Sequence, residues 1–350
     1  MTLWLRRTAT ALISTLVVTG ALGLILSQRS APRITAGPLL IGNVQANDVE
    51  WRPERPPVER TPAPTATPTP AATARPVPAS TPVHHAPAPV VPLPVVSATS
   101  VSLLDLDTGR YLWQSNPNRP WAPASLAKIF TAMVASDLMR LDAQVTVPAS
   151  VTQLPWDSTV MGLSPGERLS VRELLDGVFL RSANDAAETL ASAVTSRATF
   201  VADMNAKAAR LSLHNTHFVN PTGLDGAGYT TTAYDLSVAA TYLEYHYPAL
   251  TTIAAVPSMT IGATATHKTF AMVNIDKMLQ LYPGVYGLKT GWTEIAGGCL
   301  ITTASRGGHR LLAVVFGSPA VYHEMSLVLD YGFETLGVLP PPTPTPTPTP

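Results

Sequence analysis

Proline lacks a backbone donor and keeps the preceding residue out of helix, so a stretch dense in proline cannot pack as a domain. Of the 34 prolines in this chain of 350 residues, 21 fall within residues 52–94 and 339–350. The first stretch, RPERPPVERTPAPTATPTPAATARPVPASTPVHHAPAPVVPLP, reads as a Pro-rich disordered linker. In extended polyproline form its 43 residues would reach roughly 130 Å at about 3.1 Å each. From Pro340 to Pro350 the second stretch runs as Thr-Pro repeats without an apolar anchor and reads as a disordered tail. Residues 95–338 remain as the one foldable domain, and about 240 residues suffice for a single sizeable core.

Upstream of the linker, Arg6 and Arg7 precede an uncharged segment from Thr8 to Ser27. Twenty residues of helix span roughly 30 Å, the thickness of a hydrocarbon layer. Residues 8–28 are therefore expected to be a transmembrane anchor in preference to a cleaved signal segment, since no Ala-x-Ala-like site follows directly. Residues 1–7 would lie on the cytoplasmic side, although Arg29 and Arg33 beyond the helix oppose that orientation. The rest of the chain would be exported, tethered to the cell membrane, or secreted if the segment is cut.

Eight basic and four acidic residues in 1–94 contrast with fifteen basic and nineteen acidic in 95–338. An acidic domain of this kind is a poor partner for nucleic acid. Cys299 is the only cysteine, which excludes an intramolecular disulfide and any multi-cysteine metal site, and its apolar surroundings place it in the core. His84 and His85 lie in the linker and the other six histidines are scattered. No metal and no cofactor are expected.

Within the domain, residues 95–115 alternate apolar and polar residues around Asp107-Thr108-Gly109, the pattern of a β-hairpin. From Ser125 to about Leu138, apolar residues surround the helical wheel, which predicts a helix buried on most sides. Further helices are expected over Val171–Leu180, Asp185–Val194, Phe200–Leu211 and Thr232–Tyr245, so that the middle of the domain reads as all helix. Strands follow over Val285–Thr290, Gly298–Ser305 and His309–Phe316, and a helix over Val321–Leu336 closes the domain. Strands at both ends around a helical insertion predict an α+β fold with one antiparallel sheet assembled from the two ends.

Three short motifs stand out. Ser125-Leu126-Ala127-Lys128 puts a hydroxyl and an amine on one helical face, where a lysine of lowered pKa can take the serine proton. Alone, the same tetrad also describes an N-cap serine with a solvated lysine. Ser182-Ala183-Asn184 stands before a helix, where capping is the simpler reading. Lys289-Thr290-Gly291 closes a strand and precedes Trp292, and a turn glycine would explain it equally. Asn220-Pro221-Thr222-Gly223 reads as a structural turn, and Glu294 as a solvated turn residue.

In this order, the three triplets form the set shared by penicillin-binding proteins and class A β-lactamases. The chain resembles the low-molecular-mass serine D-alanyl-D-alanine carboxypeptidases of that superfamily over residues 95–338. The likeness extends to PASLAKIFTAMVA, LSVRELLDGVFLRSANDAAETLA, NTHFVNPTGLDGAGYTTTAYDLSVAA and GLKTGWTEIAGGCLITTASRGGHRLLAVVFGS. It implies a β-lactamase/transpeptidase-like fold with an all-helical inserted subdomain. The implied substrate is the peptidoglycan stem peptide ending in D-Ala-D-Ala, with β-lactam antibiotics as covalent inhibitors.

The resemblance also implies roles. Ser125 is the nucleophile and Lys128 its base. Ser182 relays protons beside Lys128, and Asn184 holds the substrate backbone and orients that lysine. Lys289 supplies positive potential, Thr290 binds the terminal carboxylate, Gly291 leaves room for the peptide, and the N–H groups of Ser125 and Trp292 form the oxyanion hole. One departure is that relatives often carry a carboxylate-gripping arginine before the last helix, where this chain has none between Ser318 and Met325.

The alternatives are a D,D-endopeptidase acting on cross-links, a β-lactamase, and a catalytically silent wall-binding module. No Glu-x-x-Leu-Asn motif lies between the second and third triplets, against a class A β-lactamase, and the intact triplets oppose the silent module.

Overall fold

The computed structural model describes residues 91–338. The expected anchor at 8–28 and its flank at 1–7, the linker up to residue 90 and the tail at 339–350 lie outside the described residues. Among those described, no helix is long and apolar enough to cross a membrane.

The domain opens with the expected hairpin, β1 (Ser100–Asp105) and β2 (Arg110–Ser115). Asp105 closes its turn. One carboxylate oxygen accepts the Asp107 N–H at 3.0 Å, the other accepts the Thr108 hydroxyl at 2.7 Å, and Gly109 takes the left-handed conformation. The chain end supplies β7 (Val285–Thr293), β8 (Gly297–Arg306) and β9 (His309–Ser318). These join the hairpin in one antiparallel sheet of order β2-β1-β9-β8-β7, with Leu103 opposite Ala313 and Lys289 opposite Ile301. The sheet is built from both ends of the domain, and β7, which carries the Lys-Thr-Gly triplet, is left at its edge.

The buried helix starts differently from expectation. A 3₁₀ turn covers Ala124–Ala127, and the α-helix proper is α1 (Lys128–Leu138). Pro123 precedes the turn and Ala124 has φ +47°, so the chain enters in a tight left-handed kink. Every residue of α1 from Lys128 to Ala135 is buried, because other helices surround it. These are α2 (Val171–Leu180), α3 (Asn184–Ala191), α4 (Arg197–Arg210) and α5 (Ala233–His246), each near its expected span. Local capping sets their starts: Ser170 and Glu173 form a capping box on α2, Ser196 caps α4 and Thr232 caps α5.

The middle block is not purely helical. It holds two ribbons, β3 (Gln144–Thr146) with β4 (Arg168–Ser170) and β5 (Ser258–Ile261) with β6 (Phe270–Val273). Strands of three or four residues are too short to print a period-2 signal in sequence. Two short helices, α6 (Pro248–Ala254) and α7 (Met278–Leu281), flank the second ribbon, and α8 (Val321–Thr335) closes the domain against the sheet.

Alternation along the strands separates two cores. Val101, Leu103, Leu311 and Val315 face α8, while Leu104, Leu312, Val314 and Phe316 join the helical block. Cys299 is buried in the latter core, as expected.

Candidate active site

The 3₁₀ turn brings Ser125 against the edge strand β7. A Cβ at Gly291 would stand 3.1 Å from the Ser125 amide nitrogen and from Ala124 Cβ, so a side chain here would press the turn back by a few tenths of an ångström and glycine lets the strand approach without that shift. On its other flank the turn meets the Asn220–Gly223 loop. Gly223 has φ +84°, and a Cβ there would collide with the Ala124 carbonyl. Asn220 shapes this loop by accepting from the Thr222 N–H, the Thr222 hydroxyl and the Gly223 N–H at 3.1, 2.9 and 2.8 Å.

Lys128 Nζ donates to Ser125 Oγ at 2.8 Å and to the Thr222 carbonyl at 2.5 Å. Its side chain has no solvent exposure. Burial first, and then the charge of Lys289, hold its pKa well below the usual lysine range, with Glu188 and Asp185 pulling the other way. The amine is thus driven toward the neutral form that can accept a proton.

Lys289, 1 % exposed, donates to Ser182 Oγ and to the Thr290 carbonyl, each at 2.9 Å. Burial pulls it down to about 7, against the opposing charge of Asp276. Ser182 has φ +53°, so it and Ala124, two non-glycine residues in left-handed geometry, both belong to this site. Asn184 N–H donates to the Thr159 carbonyl at 2.8 Å, while its buried Oδ1 has no hydrogen-bond partner. Asp185 ties the facing loop down by accepting from the N–H groups of Met161, Gly162 and Leu163 at 2.8–3.0 Å.

Ser125, Ser182, Asn184, Thr290, Gly291 and Trp292 line one cleft of about 670 Å³. Lys128 and Lys289 lie behind its wall, bonded to Ser125 and Ser182 respectively. All eight sequence-selected residues therefore converge, with two differences of detail. Ser182 is bonded to Lys289 in place of Lys128, and the orienting acceptor of Lys128 is the Thr222 carbonyl in place of Asn184. Thr222 went unrecognised because it acts through its backbone. The signal available was the Asn-Pro-Thr-Gly turn itself.

Where an arginine is absent before α8, Val321 and Tyr322 line the cleft, and the Lys277 ammonium stands 5.8 Å from the Tyr322 ring centre. Glu294 is exposed, as expected, but also lines the cleft. Among the described residues, no three His, Cys, Asp or Glu side chains gather to hold a metal ion.

A serine bonded to a buried lysine whose pKa is held down, at the edge of an antiparallel sheet, is an arrangement suited to acyl transfer. The family model described as D-alanyl-D-alanine carboxypeptidase matches residues 86–320, which include all three triplets. The chain belongs to the D-alanyl-D-alanine carboxypeptidase family. As a member it is a serine-type hydrolase with the β-lactamase/transpeptidase-like fold. It is 37 % identical over 255 residues to the carboxypeptidase DacB2 of Mycobacterium tuberculosis, covering 71 % of this chain and 86 % of the relative. It is 35 % identical to DacF of Bacillus subtilis, covering 67 % and 62 %. Among solved structures, a D-alanyl-D-alanine carboxypeptidase from M. tuberculosis matches with a TM-score of 0.65 at 36 % identity, covering 70 % of this chain and 94 % of that one. A Streptomyces DD-transpeptidase matches with a TM-score of 0.65 at 29 % identity, covering 70 % and 100 %.

Proposed function

We propose that Ser125 is the nucleophile with which this D-alanyl-D-alanine carboxypeptidase cleaves the peptidoglycan stem peptide. The observation that carries the reading is the 2.8 Å contact between Ser125 Oγ and a fully buried Lys128. Neutral Lys128 takes the hydroxyl proton as Oγ attacks the carbonyl of the penultimate D-alanine. The N–H groups of Ser125 and Trp292 receive the developing oxyanion, each such donor contributing about 3 kcal/mol. Collapse breaks the amide bond, and the proton passes to the departing terminal D-alanine, leaving an ester on Oγ. Water then attacks the ester, its proton going to Lys128; collapse breaks the Oγ–acyl bond, Lys128 returns the proton to Oγ, and the shortened peptide leaves.

Ser182 stands between Lys289 and the cleft and passes protons there. Asn184 Oδ1, buried without a partner, accepts an N–H of the substrate backbone. Lys289 draws the terminal carboxylate, which Thr290 binds through its hydroxyl. A β-lactam presents the same carbonyl and carboxylate, so penicillins acylate Ser125.

Intact-mass spectrometry after incubation with benzylpenicillin tests the assignment. A stable penicilloyl adduct is expected on the wild type and none on Ser125→Ala. An adduct persisting on Ser125→Ala would remove the nucleophile from this position, and rapid hydrolysis of the antibiotic without an adduct would make the protein a β-lactamase.

The domain reading extends this proposal. Residues 95–338 form the catalytic domain, residues 52–94 a spacer and residues 339–350 a tail, with residues 8–28 tethering the enzyme to the membrane on its outer side. The uncharged run from Thr8 to Ser27 supports the tether. Deletion of residues 1–28 is expected to move the protein from the membrane to the soluble fraction of exporting cells when it is supplied with a cleavable leader. Continued membrane association would refute the tether.

A further inference from the structure

Lys289 stands where burial works against its positive charge. Its ammonium is buried, and its two hydrogen bonds go to neutral oxygens. An amine so placed loses its charge unless a counter-charge is near.

The segment leading into α7 provides one. Asn274 pins it: its N–H donates to the Pro257 carbonyl at 2.8 Å, and its amide donates to the carbonyls of Ala254 and Val256 at 3.1 and 3.0 Å. The Ile275 N–H donates to the Leu180 carbonyl at 2.9 Å, two residues before Ser182. Asn274 Oδ1 accepts the Asp276 N–H at 2.9 Å, and α7 itself packs against β7. The Asp276 side chain is thereby fixed, 5 % exposed. One carboxylate oxygen accepts the Met278 N–H at 3.0 Å, while the other is buried with no hydrogen-bond partner. An unpaired buried carboxylate oxygen is costly, and the field of a nearby cation offsets that cost.

We infer that Asp276 is a positioning residue whose buried carboxylate is the counter-charge that keeps Lys289 cationic and, through Lys289, keeps Lys128 neutral. This rests on the reading of Lys289 as the cation of the cleft. The groups facing one another are few. Lys289 feels Asp276 and itself acts on Lys128; Lys128 also feels Glu188 and Asp185 of α3; Asp276 also faces Tyr322 of α8. Burial pushes Asp276 up to about 6, so the carboxylate forms in the range where Lys289, at about 7, still holds its proton. Loss of the Lys289 proton then sets the alkaline limb of acylation.

The test is the second-order rate of acylation of the full chain by benzylpenicillin across the pH range, for wild type, Asp276→Asn, Asp276→Glu and Lys289→Gln. In Asp276→Asn the alkaline limb is expected to move to lower pH by about one unit, a tenfold loss beyond the limb, with partial return in Asp276→Glu. A loss of equal factor at every pH, or an unmoved limb, would overturn the inference. If Asp276→Asn fails to fold, Asp276→Glu alone decides, because a displaced carboxylate moves the limb and a purely structural contact does not. A wild-type alkaline limb retained in Lys289→Gln would sink the reading of Lys289 itself, whereas a limb lost there but unmoved in Asp276→Asn would sink only the role of Asp276.

Discussion

Where the sheet meets α8, Val101, Leu103, Leu311, Met325 and Phe333 interlock, and a Cβ on Gly332 would lie 2.7 and 3.0 Å from the side chains of Leu311 and Leu103. Where its edge strand meets the Ser125 turn, the molecule instead buries two lysines, holds Ala124 and Ser182 in left-handed geometry and leaves the Asn184 Oδ1 without a partner. Both regions are closely fitted, but the α8 face is fitted for burial of apolar surface and the cleft for holding polar groups where they are uncomfortable. The first stabilises the fold. The second draws on that stability to keep reactive groups in place. Substitutions should therefore separate by region: those in the cleft cost chemistry, and those under α8 cost stability.

Among changes that leave every reacting side chain in place, the largest expected effect on chemistry comes from Gly223→Ala. The new methyl collides with the Ala124 carbonyl, and the backbone at φ +84° is hostile to alanine. The loop must retreat from the Ser125 turn, carrying the Thr222 carbonyl away from Lys128. A displacement near 1 Å at a reacting pair costs about a hundredfold. Acylation by benzylpenicillin, measured on protein that remains folded by circular dichroism, should fall by at least that factor. A rate within threefold of wild type would show that the loop does not hold Lys128 in register.

Phe333→Ala should break the comparison from the other side. Phe333 has no solvent exposure, and truncating such a ring costs about 3–5 kcal/mol of stability. The denaturation midpoint should drop sharply while the acylation rate per folded molecule stays the same. A parallel loss of rate would mean that the two regions are coupled through the sheet.

How much of this was legible in the sequence follows the same division. The motifs pointed to Ser125, Ser182, Asn184 and Lys289 because the roles proposed for them reside in side chains at fixed spacing. Thr222 meets Lys128 through a carbonyl that any residue carries, and Asp276 is one acid among many until the fold buries it in the segment that bonds Leu180 and leads into α7. The hairpin, the buried helix and the terminal strands were readable from periodicity. The 3₁₀ turn at Ala124–Ala127 was not, since tertiary contacts with Gly223 and Gly291 impose it, and neither were the two short ribbons.

A smaller effect should appear in the pH dependence of stability. Lys128 and Lys289 have folded pKa values below the unfolded lysine value, so the unfolded chain binds more protons in the interval between. Their burial penalty is fully present below the folded pKa and is relieved as pH rises toward 10.5. Stability should therefore climb from pH 7 to pH 9, by at most about 1.4 kcal/mol per pH unit for each lysine. Glu244 and Asp276, raised to about 7 and about 6, act in the opposite sense but mainly below pH 7. Denaturant midpoints that stay flat or fall from pH 7 to 9 would contradict the picture of two lysines buried at a cost.

The smallest effect tests whether a polar group outside the cleft is merely structural. Ser170 caps α2, accepting the Glu173 N–H at 3.2 Å while Glu173 reaches back to the Ser170 N–H at 2.7 Å. Ser170→Ala removes one half of this box and should cost about 1 kcal/mol. Helix α2 runs straight into Ser182 through Leu180, so a frayed start could in principle reach the cleft. Six of the eight residues from Val171 to Val178, all but Arg172 and Glu173, are buried and anchor the helix along its length, which counts against that. The expected result is a small fall in the denaturation midpoint with the acylation rate unchanged. A rate loss exceeding the stability loss would show that the position of Ser182 depends on the far end of α2, and that the cleft's strain is supported from further away than its own walls.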